Sequence, residues 1–170
     1  MLLYLIAGFV FAALLSVAAI MVAGPDKLWS ALYGGPDLGP FDLETLKRTT
    51  KPHDALLCTP GACPPELEAD GALPAYADDP AALLTKLVQK AEAGPDNAQQ
   101  VGGSATDGTV RFVTRTASMK FPDTNQFWAV SMPDGKTGLV AYARAQVGYS
   151  DLGVNRKRLE SWTANLANEN

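Results

Sequence analysis

Imidazole and thiol groups are scarce in this sequence. Its 170 residues hold one histidine and two cysteines, which removes most metal and cofactor chemistry at the outset. A structural zinc would need two ligands besides Cys58 and Cys63, and the single His53 supplies at most one. A c-type haem needs Cys-x-x-Cys-His, which is absent. Neither a cofactor nor a metal is therefore expected. Hydrolytic chemistry is almost as poorly served. His53 lies between Pro52 and Asp54, and a triad would need it to reach a suitable serine. The segment "GGSAT" (102–106) is not a Gly-x-Ser-x-Gly elbow. A hydrolase built on His53 is the least supported of three readings, and no enzyme is expected.

Positive charge is short as well. Fourteen Lys and Arg face eighteen Asp and Glu, for a net charge of −4. The only basic cluster is Arg156-Lys157-Arg158. Nucleic-acid partners are excluded on this ground, because backbone phosphates require a basic stripe.

From residue 2 to residue 23 charge is missing altogether: "LLYLIAGFVFAALLSVAAIMVA". As a helix this run reaches roughly 33 Å, close to the hydrocarbon thickness of a bilayer. A cleaved signal peptide would carry a basic leader and a shorter apolar stretch; neither is present. The expectation is an uncleaved, single-pass anchor over 1–24 that contacts membrane lipid through Leu2, Phe9, Phe11 and Leu15. Small residues at Gly8, Ala12, Ala13, Ser16 and Ala19 would let other helices approach. "PDKLWSALYGG" then reads as a short interfacial helix, with Trp29 and Tyr33 at headgroup level.

Lys and Arg are too few near the run for the positive-inside rule to orient it. The cysteines bear on the side instead. In "CTPGAC" a Pro-Gly turn pair separates Cys58 from Cys63, so the two sulfurs can meet in a disulfide. The alternative is two free thiols. The disulfide reading implies an oxidising compartment. It places the protein in an inner (cytoplasmic) membrane with its C-terminal domain in the periplasm, if the source is a Gram-negative bacterium.

The expected organisation is an anchor over 1–24, a juxtamembrane interfacial segment and linker over 25–50, and a periplasmic α+β domain over 51–168. Residues 36–78 are rich in Pro, Gly and Asp and read as irregular chain. Asp79-Pro80 opens a helix with an apolar face at Leu83, Leu84, Leu87, Val88 and Ala91, and Gly94-Pro95 ends it. Strands are expected over 109–117, 125–132 and 137–147, with a hairpin turn at Pro133-Asp134-Gly135-Lys136. A weak one lies near 99–101. In the last helix Leu152, Asn155, Leu159, Trp162 and Leu166 form one stripe, with Asp151 as N-cap. The fold class is α+β: an N-terminal transmembrane helix followed by a small antiparallel sheet packed with two helices.

The polar candidates are Arg115, Asp123, Arg144, Ser150, Asp151, Asn155 and Arg158. Two arginines with two aspartates make a structural ion network; two arginines with a displaced aspartate make an anion site, since the guanidinium fork suits carboxylate or phosphate. Paired-carboxylate catalysis through Asp123 and Asp151 is disfavoured, because arginine neighbours would keep both ionised.

The segments "MKFPD" (119–123) and "ARAQVGYSDLGVNRKRLESW" (143–162) resemble an uncharacterised bacterial and plastid family, a domain of unknown function. Its signature runs through Ser-Asp-x-Gly-Val-Asn-x-x-Arg. The resemblance extends over residues 40 to 168 and includes the upstream segment from Pro52 to Cys63. Where the family pattern has Ser-Arg-Ser-Arg, this chain has Ala143-Arg144-Ala145-Gln146, so one arginine is replaced. The resemblance implies a fold and supplies no activity.

The functional expectation is an accessory subunit that stabilises a larger membrane complex by protein–protein contact on the periplasmic side. An electron-transport or photosynthetic complex, with a periplasmic cytochrome among its subunits, is the concrete form. The second reading is a binding module for a small anionic or lipidic ligand held by Arg115, Arg144 and Arg158.

Overall fold

The computed structural model describes residues 1–166, without the side chains of Leu2, Leu3, Leu14, Val17, Ala19 and Pro25 and of residues 20–23. Residues 167 and 168 of the expected domain, and the side chain of Leu2 in the expected anchor, lie outside the described residues. The chain forms two compact units, Met1–Gly35 and one beginning at Pro36.

In the first unit, helix α1 spans Leu2–Ala23 and helix α2 spans Pro25–Tyr33. Gly24, at φ 85°, separates them, and Pro25 occupies the first turn, where its missing N–H costs nothing. Trp29 and Tyr33 sit one turn apart with ring centroids 6.2 Å apart. Phe9, Phe11, Leu15 and Tyr33 are exposed and Trp29 is half-buried. Among the described residues, no helix is long and apolar enough to cross a membrane.

The second unit is a six-stranded mixed sheet with two of the chain's four described α-helices on one face. The strands are β1 (Asp54–Cys58), β2 (Gly71–Ala72), β3 (Gln99–Ser104), β4 (Thr109–Arg115), β5 (Pro122–Ser131) and β6 (Thr137–Ala145), in the order β2-β1-β6-β5-β4-β3. All neighbours are antiparallel except β1 and β2, which run parallel. The sheet is thus mixed rather than antiparallel throughout. The added strands lie in the segment expected to be irregular. "DALLC" gives no alternation because both faces of β1 are covered, and a strand buried on both faces loses its period-2 signature.

Helix α3 (Pro80–Ala93) is capped by the Asp79 side chain, which accepts from Ala82 N, and helix α4 spans Val154–Thr163. Leu83, Leu84, Leu87 and Ala91 of α3 and Leu159 and Trp162 of α4 close over Phe112, Phe127, Leu139 and Ala141 of the sheet. Trp162 stacks on Phe127 at 5.8 Å and meets Phe112 edge-on at 5.5 Å. Each such large apolar side chain contributes roughly 1.5–3 kcal/mol by leaving water.

The opposite face is covered by a strap of chain rather than by a helix. Residues 37–49 cross it, tied by polar stitches: Asp37 to Arg111, Leu38 N to Thr124 Oγ1, and Phe41 N and O to the Gln126 side-chain amide. Phe41 packs edge-on against Tyr142 at 5.0 Å. Residues 36–50, expected as linker, therefore form part of this unit. The Cys58–Cys63 disulfide closes the turn after β1.

Candidate functional site

The residues of the sequence signature meet at one end of the sheet, where β5 begins, β6 ends and α4 starts. Alternation along β5 turns Asp123, Asn125 and Phe127 toward the helices and Thr124 and Gln126 toward the strap. Helical spacing brings Asn155, Arg158, Leu159 and Trp162 onto the sheet-facing side of α4, all of them buried. Leu152, expected in that stripe, is outside the helix and 87% exposed.

Arg158 is the hub of a buried polar network. Its Nη2 donates to Asp123 Oδ2 at 2.9 Å, and its Nη1 donates to Asn155 Oδ1 at 2.6 Å and Asn125 Oδ1 at 3.3 Å. Asn125 Nδ2 donates to Thr114 Oγ1 at 3.1 Å, and Asn155 Nδ2 donates to the His53 carbonyl at 3.2 Å. The network therefore ties α4 to β4, to β5 and to the residue preceding β1. Burial pushes the Asp123 carboxyl above its ordinary pKa, against the opposing pull of Arg158. This explains a cation and an amide on the inner face of α4: they satisfy each other and a buried carboxylate.

Asp151 stands beside the network. The N-cap position of α4 is taken by Gly153, in the left-handed region at φ 77°, yet the capping hydrogen bond comes from Asp151. Its carboxylate accepts from Gly153 N at 2.9 Å and from Asn155 N at 3.0 Å. Arg115 and Arg144 lie on the strap side of the sheet. Arg115 reaches Gln99 Oε1 at 3.4 Å, and Arg144 sits in register with Asp54 and Thr124. The three arginines considered for an anion site do not converge. Strand parity decides this, since Arg115 and Arg144 carry the parity opposite to the buried Thr114 and Ala145.

His53 is buried, and neither ring nitrogen has a hydrogen-bond partner among the described residues. Among the described residues no serine engages it.

A cavity of about 270 Å³ opens beside the network. Met119, Phe121, Val147, Leu152 and Val154 form an apolar wall, and Thr116, Ser118, Asp123, Ser150 and Asp151 supply its polar groups. Met119, Leu152 and Val154 are exposed. Both loops that shape the cavity carry a non-glycine residue in the left-handed region, Lys120 at φ 55° and Leu152 at φ 54°. That conformation costs an L-residue roughly 1–2 kcal/mol, and such strain concentrates at functional loops. A larger cleft of about 570 Å³ lies on the other side of the Ser150–Leu152 loop, among Arg48, Lys51, Asp54, Asp70, Asp151 and Arg156. Within it Arg48 bridges Asp54 and Asp70, and Arg156 pairs with Glu160 outside it. The smaller cavity is the better candidate, because it joins an exposed apolar wall to carboxylates.

Asn125, Thr114, the cavity wall, and Asp96, whose carboxylate accepts from Trp162 Nε1 at 2.9 Å and lies 3.7 Å from Arg158 Nε, were not among the sequence candidates. Asn125 carried a signal: it shares parity with Phe127 in an apolar strand, where an amide needs a buried partner.

A family model described as "Protein of unknown function (DUF1499)" matches residues 64–166, a span that holds β2 to β6 and both helices of the second unit. No curated protein and no solved structure matches the chain.

Proposed function

The chain belongs to the DUF1499 family, and from that premise we propose that it is a membrane-tethered accessory subunit whose α+β domain docks a partner protein through the cavity face at 118–123 and 147–154. The carrying observation is Leu152. A branched apolar side chain is held 87% exposed, in a strained backbone conformation, at the mouth of an apolar cavity. Neither the core nor the network uses it, and exposed apolar groups gathered at one place mark interaction surfaces. The tether is supported by the uncharged run at 2–23. The non-cytoplasmic side is supported by the Cys58–Cys63 disulfide.

The test is native mass analysis of the protein gently extracted from its own membranes, with co-migrating chains identified, for the parent and for Leu152→Asp. The expected result is a stoichiometric complex for the parent and its loss in the variant. A parent that migrates alone, or a variant that keeps the complex, overturns the proposal.

A further inference from the structure

Resting on that docking reading, we infer that the segment seated in the cavity presents an arginine or lysine side chain, its aliphatic stem along the apolar wall and its cation at Asp151. The cavity lining holds two carboxylates and no lysine, arginine or histidine. Asp123 is already matched by Arg158 behind it. Asp151 is not matched: it accepts only from the backbone N–H groups of Gly153 and Asn155, and no ion pair reaches it among the described residues. Asp151 also borders the larger cleft, which holds Arg48, Lys51 and Arg156, but none of these cations forms an ion pair with it among the described residues. Ser150, which gives Leu152 N a hydroxyl acceptor at 3.2 Å, adds a second polar group at the same rim.

A ligand that fits must be apolar along one side and cationic at the tip. Long basic side chains have that form, since their methylene stems cover apolar surface while the head stays with polar groups. An anionic ligand would meet Asp151 at close range. A quaternary ammonium of the choline type is favoured by cages of several aromatic rings, and only Phe121 lines this cavity. The projecting Leu152 at the rim of the wall suits a neighbouring apolar residue on a docked segment.

The probe is a capped peptide with one arginine between leucines, set against the same peptide with citrulline, which keeps the shape and removes the charge. Full-length protein in detergent is titrated with each, and amide shifts are read at 118–123 and 147–154. The arginine peptide is expected to move those amides, and the citrulline peptide to bind about tenfold more weakly, a difference of about 1.4 kcal/mol. Asp151→Asn keeps one capping acceptor, so the fold survives. It should abolish the difference between the peptides, as should raised salt. Equal binding of the two peptides, shifts elsewhere on the domain, or displacement of the arginine peptide by phosphocholine overturns the inference. If Leu152→Asp breaks the native complex while Asp151→Asn leaves it intact, docking stands and the basic side chain falls. A parent that migrates alone removes the docking reading itself.

Discussion

The Arg158 guanidinium lies 2.9 Å from the Asp123 carboxylate, and each side chain is only 3% exposed. The pair joins α4 to the start of β5, and the two residues are far apart in sequence. Removing one member of such a pair leaves a buried charge uncompensated, whereas replacing both can come close to neutral.

Arg158→Met should therefore lower stability by about 3–5 kcal/mol. Asp123→Leu combined with Arg158→Met should lose less than the sum of the two single changes. Urea unfolding followed by tryptophan fluorescence gives the three values. Additive losses would mean that the two groups do not sense each other.

Leu152 trades stability for contact. Asparagine adopts the left-handed conformation readily, and the leucine side chain leaves little contact behind at 87% exposure. Leu152→Asn is expected to raise stability by roughly 0.5–1 kcal/mol while weakening the native complex. Thermal unfolding and native mass analysis of the same preparation test both halves; a destabilised variant would show that Leu152 supports the fold.

Tyr76 governs the alkaline limit. Its hydroxyl is buried without a hydrogen-bond partner among the described residues, and burial pushes its pKa up to about 12. In the unfolded chain a phenol ionises near pH ~10. The folded value is the higher one, so the folded state holds the proton longer. Stability is full below about pH 10 and falls toward about pH 12, by on the order of 2 kcal/mol. Burial and the Asp54 charge push Tyr142 in the same direction. Tyr76→Phe should flatten this decline and, by removing an unpaired buried hydroxyl, add about 1 kcal/mol at neutral pH. Urea midpoints at about pH 8 and about pH 11 decide; a less stable variant at the lower pH would sink the prediction.

The Cys58–Cys63 bridge closes a short loop, so the chain-entropy argument gives it only roughly 2 kcal/mol. Reduction should lower the melting temperature by a few degrees and leave the domain folded. Melting curves with and without a reductant measure it. Complete unfolding on reduction would show that the bridge carries more than loop closure.

Much of this architecture was legible before any coordinates. The cap Asp79, the apolar face of α3, the turn at Pro133–Lys136 and the α4 stripe of Asn155, Leu159 and Trp162 all follow from local rules of capping, period and turn chemistry, which act over a few residues. The sequence also determined the uncharged run at 2–23 and the position of the two cysteines.

Only the tertiary structure decided which polar groups meet. Arg158 finds Asp123 because α4 crosses the end of β5, Asn125 turns inward to join them, and β1 takes its place between β2 and β6 inside chain that looked irregular. The cavity at Asp151 likewise forms from two loops that no local rule brings together. Local pattern says which face a residue takes, but a partner many residues away is set by the packing of whole elements, and that is a property of the folded chain.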